Sequence, residues 1–337
     1  MPQHVAVINA GGWGTALAAL LANSGHVVRL WCRRAELAAE IAAQGENPTY
    51  LPGVAVPPSV LPTASLETAL AGADAVVLAP ISRAMRDVAR QVSPYIQTGT
   101  PVIHASKGLE VATLQRLSEV LGQELPGAAV AVLSGPTHAE EVGRGQPTAA
   151  VIASSSEAVA TLFQQLLHGP TFRVYTSTDM VGVELCGALK NVIALATGAS
   201  DGLGYGDNAR AALITRSLAE IGRLVHAAGG DARSVAGLAG LGDVVVTCTS
   251  RLSRNRWAGE QIGRGRTVAE IVASTPQVIE GIPATRGAIE LATRYRVEMP
   301  VCATVDRVLN HGLSVHEALA ELMSREATVE LATGETA

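Results

Sequence analysis

The sequence predicts an α/β domain built on a doubly wound parallel sheet, followed by an all-α, helical C-terminal domain. Three observations carry this expectation. The first half alternates short runs of valine, isoleucine and leucine with helical patterns. Near-continuous apolar strands of that kind belong to a parallel sheet covered on both faces. Beyond residue 180 one helical pattern follows another, with hardly a strand between them, and a length of 337 residues suits two domains.

The strands expected in the first domain are Val5–Ile8, Val27–Trp31, Ala75–Ala79, Val102–His104 and Val130–Leu133, each bounded by Gly, Pro, Asp or Ser. Helices are expected at Thr15–Asn23, Arg34–Gln44, Ser82–Val92 and Thr113–Leu121. Two further strands, Ala149–Ala153 and Arg173–Tyr175, flank a helix over Glu157–Leu167. The second domain reads as helices at Met180–Thr197, Ala209–Ala228, Arg254–Gly263, Val268–Ser274, Thr285–Arg294, Cys302–Leu309 and Val315–Met323. The boundary falls near Thr178, giving domains over 1–178 and 179–330, with the chain frayed from about Thr328.

Apolar residues make up 48% of the chain and aromatics only 3%, so the core is packed with alanine, valine and leucine. Cys32, Cys186, Cys248 and Cys302 form no Cys-x-x-Cys pair and read as reduced, mostly buried thiols of a cytoplasmic protein. No apolar run approaches the length of a membrane span, and no basic segment with a cleavage site precedes the strand-like His4–Ile8. A net charge of −5 without a dense basic run argues against nucleic acid. An anionic small molecule would have to be held by a local cluster. The histidines lack zinc-type spacing, and His104 and His138 read as packing or surface residues.

After the first strand comes Asn9-Ala10-Gly11-Gly12-Trp13-Gly14 and then a helix. This is the dinucleotide fingerprint of a Rossmann domain with its first glycine replaced by asparagine. Gly11 lets the backbone approach a pyrophosphate, Gly14 lets the helix pack on the sheet, and the phosphates face the helix N-terminus. Asn9 tolerates positive φ better than most residues and can still make the turn. The second strand ends in Trp31-Cys32-Arg33-Arg34, where an NAD-specific site carries an acid for the ribose diol. Two arginines there suit the 2′-phosphate of NADP, or stand as solvated loop charges.

Of 25 lysine and arginine residues only Lys107 and Lys190 are lysines. An ammonium is a compact charge whose pKa falls on burial, whereas guanidinium stays charged and needs forked partners. Positions that stay lysine in such a chain point to proton transfer or a point-charge contact, and small neighbours leave room for a ligand. Two surface lysines surviving by chance are the alternative. Lys190 sits beside Asn191 on an apolar helix, where desolvation lowers an amine's pKa toward general acid–base range. Asp243, closing Gly240-Leu241-Gly242-Asp243, either orients this lysine or caps a helix. Ser253-Arg254-Asn255-Arg256 opens another helix with a capping serine, exposed N–H groups and two arginines, either a phosphate cradle or a capped surface helix. Gly135-Pro136-Thr137 and Gly281-Ile282-Pro283 are turns whose ligand role spacing does not set.

Together these segments resemble bacterial NAD(P)-dependent glycerol-3-phosphate dehydrogenase. The matching stretches are 11–18, 47–53, 106–110, 134–142, 187–191, 206–216, 237–243, 247–250, 253–256 and 278–281, spanning nearly the whole chain in order. The resemblance implies hydride transfer between NADPH (or NADH) and C2 of dihydroxyacetone phosphate, giving sn-glycerol 3-phosphate for membrane lipid synthesis. It implies that Lys190 is the general acid–base group, that Lys107 lies between cofactor and substrate, and that Asp243 supports the substrate site. Gly135, Thr137, Ser253, Arg254 and Asn255 would line the substrate pocket, with Arg254 also reaching the cofactor. Gly12, Trp13, Arg33, Arg34, Tyr50, Ala139, Val278 and Glu280 would line the cofactor path beside Gly11 and Gly14. A homodimer is expected from the resemblance, with no metal and no membrane insertion. Two departures stand out: Asn9 replaces the first fingerprint glycine, and His138 stands where the family has an aromatic residue. On the residues alone two rivals stay open. Another reductase of this build, such as a ketopantoate reductase or a hydroxyacyl-CoA dehydrogenase, would not require the 253–256 cradle. A redox sensor that binds dinucleotide without turnover leaves the two lysines and Asp243 unexplained.

Overall fold

A computed structural model describes residues 2–275, 278–327 and 329–330. Two compact units make up the chain, the first formed by residues 1–110 and 115–184, the second by 111–114 and 185–337.

The first unit carries an eight-stranded sheet of β1 (His4–Ile8), β2 (Val27–Trp31), β3 (Val60–Thr63), β4 (Ala75–Leu78), β5 (Pro101–His104), β6 (Ala129–Ser134), β7 (Thr148–Ala153) and β8 (Phe172–Ser177). Their order is β8-β7-β6-β5-β4-β1-β2-β3. Six strands thus follow the doubly wound sequence 3-2-1-4-5-6, whose reversal between β1 and β4 opens a crevice at the strand ends. Alternation along β1 builds both faces. Val5 and Val7 point into a core with Leu17, Leu21, Leu30 and Phe163, while Ala6 and Ile8 point into another with Leu78, Met85, Leu117 and Leu121. The helices covering these faces are α1 (Gly12–Asn23), α2 (Ala35–Gln44), α3 (Leu66–Leu70), α4 (Met85–Val92), α5 (Leu117–Glu124), α6 (Ala139–Gly143) and α7 (Glu157–Leu167).

Three expectations need correction here. The sheet is not wholly parallel: β6 and β7 run antiparallel, with Leu133 opposite Ile152. The link between them holds only the five-residue α6, which packs on α1 instead of crossing the sheet as a parallel return requires. The helix expected at Thr113–Leu121 starts only at Leu117. Residues 109–110 pair with 115–116 as a hairpin, and Leu114 turns the chain at φ +60°. Between residues 46 and 70 the sequence reading found no element. The chain there makes a short hairpin of Glu46–Asn47 and Leu51–Ala55, then β3 and α3. Its prolines hid the strand, yet Pro62 is tolerated because β3 is the sheet edge.

The helical region runs α8 (Met180–Gly202), α9 (Asp207–Ala227), α10 (Asp243–Thr249), α11 (Arg254–Gly263), α12 (Val268–Ala273), α13 (Gly281–Tyr295), α14 (Pro300–Asn310) and α15 (Val315–Met323). Among the described residues α8 is the one helix long and apolar enough to cross a membrane, contrary to the expectation of no such run, and 83% of that stretch is buried in the protein. Glu184 and Lys190 interrupt the run and masked its length. Helices α8 and α11 touch backbone to backbone. A Cβ on Gly198 would lie 2.0 Å from the Arg256 carbonyl oxygen, and one on Gly259 2.1 Å from that of Leu195. This close approach brings the start of α11 against the helix that carries Lys190. The fraying expected from Thr328 falls largely outside the described residues.

Candidate functional site

In the first unit the β1–α1 turn is shaped for close approach. Asn9 takes φ +91°, the left-handed conformation that glycine adopts in the usual fingerprint. Its Nδ2 donates to the Ala79 carbonyl at 3.3 Å, tying β1 to the end of β4. Gly14 could not be replaced, because its Cβ would lie 2.0 Å from the Asn9 carbonyl oxygen. A Cβ on Gly12 would lie 2.7 Å from the Tyr50 carbonyl oxygen and 3.8 Å from the Ala139 Cβ, so Gly12, Tyr50 and Ala139 come together. At Gly11 no side chain caps α1, whose first N–H groups are therefore available to an anion. These features fit a dinucleotide pyrophosphate. Arg33 and Arg34 are exposed after β2 and make no ion pair among the described residues, as a 2′-phosphate site requires.

Asn47 organises this turn, a role that spacing did not reveal. It is fully buried. Its Nδ2 donates to the Ala10 carbonyl at 3.0 Å and to Thr15 Oγ1 at 2.8 Å, and its Oδ1 accepts from the Tyr50 N–H at 3.1 Å. Tyr50 itself is 48% exposed. Trp13 Nε1 donates to the Ala105 carbonyl at 3.1 Å, linking α1 to the segment after β5.

That segment presents Lys107. Its Nζ donates to the Gly135 carbonyl at 2.7 Å and to Thr137 Oγ1 at 3.1 Å. Gly135 holds φ +134°, and a Cβ on it would lie 3.0 Å from the Ala150 Cα. Lys107, Gly135 and Thr137 thus form one group, as their joint assignment to a site requires. Behind it lies a buried cluster. His104 Nε2 donates to Glu184 Oε1 at 3.1 Å, and Arg116 and the Ser118 N–H reach the same carboxylate at 2.7 and 2.8 Å. Burial pushes the Glu184 carboxyl up, but the hydrogen bond from His104, with Arg116 and Ser118, holds it below its ordinary value. His104 is therefore a packing residue with a charged partner.

In the second unit Lys190 is 7% exposed and Asp243 fully buried. Lys190 Nζ donates to Asp243 Oδ1 at 2.5 Å and to Thr247 Oγ1 at 2.7 Å. Asp243 opens α10 after one turn of wider, i→i+5 helix over Leu238–Gly242, a local distortion of the kind that re-aims side chains at functional sites. Burial pushes the neighbouring Cys248 thiol up to about 11, as it does Cys32, and neither is a nucleophile at neutral pH.

Ser253 caps α11, its Oγ accepting from the Arg256 N–H at 3.2 Å. Arg254 beside it is exposed and makes no ion pair among the described residues. Arg256 does not join a cradle of two arginines. It pairs with Asp201 at 2.7 Å, and Arg210 holds the other oxygen of that carboxylate. Asn255 is engaged in packing: its Nδ2 donates to Asn191 Oδ1 at 2.9 Å and its Oδ1 accepts from the Gly281 N–H at 2.8 Å. One amide proton remains for a ligand. Glu280 precedes α13 and Val278 the turn before it.

Two family models match the chain. The N-terminal model of NAD-dependent glycerol-3-phosphate dehydrogenase covers residues 4–160 and the C-terminal model 179–320. The chain belongs to this glycerol-3-phosphate dehydrogenase family. A glycerol-3-phosphate dehydrogenase [NAD(P)+] of Moorella thermoacetica is 50% identical over 99% of this chain and 100% of its own. Its counterpart from Chlorobium limicola is 47% identical over 98% of this chain and 100% of its own. The crystal structure of glycerol-3-phosphate dehydrogenase from Coxiella burnetii superposes with a TM-score of 0.91 at 41% identity, covering 96% of this chain and 99% of the other. Both the Rossmann-type sheet and the helical region that follows it are thus those of the family.

Proposed function

We propose that this chain catalyses the reversible NAD(P)-dependent reduction of dihydroxyacetone phosphate to sn-glycerol 3-phosphate, as a homodimer in the cytoplasm, supplying glycerophospholipid synthesis. The observation that carries the reading is the buried Lys190 ammonium held by Asp243 and Thr247 on the α8–α10 face. Reduction at C2 builds negative charge on the carbonyl oxygen. An ammonium with fixed partners stabilises that charge and then gives the oxygen its proton, and in the reverse direction it takes the proton back. The nicotinamide, when bound, supplies or accepts the hydride.

The substrate's phosphate needs a separate site. Arg254 and the Ser253-capped start of α11 meet that need, with an exposed guanidinium that makes no ion pair among the described residues beside a helix N-terminus. Asn255 keeps α11 on α8 and offers its remaining amide proton. Lys107, Gly135 and Thr137 contribute a second positive charge and a tight turn to substrate and cofactor. Gly11, Gly12, Trp13 and Gly14 take the pyrophosphate, Arg33 and Arg34 the 2′-phosphate, and Tyr50, Ala139, Arg254, Val278 and Glu280 the remainder of the dinucleotide. His138, the residue before α6, stands in for an aromatic on the nicotinamide side.

A spectrophotometric assay with dihydroxyacetone phosphate and NADPH tests the reading directly. Lys190→Arg keeps the charge but holds its proton too firmly to exchange it. Its kcat should fall roughly 10²–10⁴-fold, the usual worth of general acid–base catalysis. Near-normal kcat in that variant would remove the proton-transfer role from Lys190 and leave Lys107 as the candidate.

A further inference from the structure

We propose that the helical unit carries a binding site for a neutral aliphatic molecule in a cleft bounded by α8, α9, α11, α14 and α15, apart from the Lys190–Asp243 pair. The cleft opens to solvent. Leu195, Ile262, Val301, Val305, Val308 and Leu319 line it, and none of its lining residues is charged. Space for a ligand comes from α8, where Ala196, Ala199 and Ser200 share one helical face.

Ser200 is the independent observation. It is 5% exposed, lines this cleft, and its Oγ has no hydrogen-bond partner. Hydroxyls on helices ordinarily turn back on the carbonyl four residues earlier. Thr197 does so to Ile193 on the same helix, as do Thr285 to Gly281 and Thr293 to Ile289. A buried hydroxyl left without a partner is unfavourable. Ser200 therefore keeps a donor and an acceptor unused in the wall of an apolar cleft. One hydrogen-bonding group on a saturated chain meets both features, whereas an anionic end would find no cation there.

Titration of the full chain with butan-1-ol, hexan-1-ol and octan-1-ol, followed by the methyl resonances of leucine and valine, tests it. Saturable shifts are expected at Leu195, Val305, Val308 and Leu319. Affinity should rise about fourfold per added methylene, the fold-change equivalent to burying one such group. Ser200→Ala should weaken octanol binding about fivefold, the worth of one hydrogen bond. Ala199→Leu fills the cleft from α8 and Thr304→Leu from the opposite wall, and each should abolish binding, so one variant that fails to fold leaves the other. Octanoate should bind at least about tenfold more weakly than octanol, since it brings a charge with no partner. Shifts that do not saturate, affinity independent of chain length, or unchanged affinity in a folded filled variant would overturn the site. Octanoate matching octanol, or Ser200→Ala without effect, would overturn the assignment of a neutral group at Ser200.

Discussion

Replacing Asp243 with alanine leaves an ammonium that is 7% exposed without its carboxylate, which lay 2.5 Å away. Breaking a buried ion pair by removing one partner costs roughly 3–5 kcal/mol, because the remaining charge stays desolvated. The unfolded population should therefore rise roughly 150- to 4,000-fold. For a unit of this size the melting temperature should fall by roughly 6–20 °C. Lys190→Met strands the carboxylate instead and should cost a similar amount. The double variant Lys190→Met with Asp243→Leu removes both charges and fills the space with apolar atoms, an exchange that is often neutral or stabilising. It should recover to within about 1 kcal/mol of the parent and stay inactive, which separates the pair's chemistry from its contribution to the fold. Urea unfolding of all four proteins, followed by tryptophan fluorescence, closes the cycle. A loss under about 1 kcal/mol for Asp243→Ala, or a double variant that loses the sum of the single costs, would refute the reading of a desolvated pair.

Three further outcomes follow from other parts of the molecule. Replacing both Arg33 and Arg34 with serine should weaken NADPH binding far more than NADH binding, since each charge-assisted contact is worth roughly 1.5–3 kcal/mol; equal losses in titration would remove the 2′-phosphate role. Arg254→Ala should mainly raise KM for dihydroxyacetone phosphate, with a smaller effect on a ketone lacking phosphate, and equal effects on the two ketones in steady-state kinetics would argue against a phosphate contact. Burial pushes the Glu220 carboxyl up to about 7 from 4.5, although the Val301 and Cys302 N–H groups at the start of α14 pull it down. A carboxyl whose folded value is raised contributes stability that is complete below about pH 4.5 and fades as pH rises through about 7, some 3 kcal/mol in all. Melting temperature should therefore fall between pH 5.5 and 8, and Glu220→Gln should flatten that dependence; an unchanged slope in the variant would assign it to other groups.

What was legible in the sequence is what neighbours along the chain decide. Alternating apolar strands, the Asn9–Gly14 turn and the serine cap at Ser253 were readable because each is satisfied within a few residues. The antiparallel β7 escaped because strand direction is set by where α6 packs, not by the composition of Thr148–Ala153. Asn47 escaped for a related reason. Its amide bridges Ala10, Thr15 and Tyr50, and an asparagine before proline looks like an ordinary turn residue. Arg254 and Arg256 were indistinguishable by position, until Asp201 was found to claim one of them.

The two lysines show where that boundary lies. Composition marked both as exceptional and could not divide their work. Partners that stand 28 and 53 residues away differ between them. Lys107 donates to the Gly135 carbonyl and to Thr137 Oγ1. Lys190 meets a carboxylate and a hydroxyl inside the protein. In the proposed reaction the oxygen of the carbonyl being reduced becomes an anion, and Lys190, held beside Asp243, would give up its proton at that step.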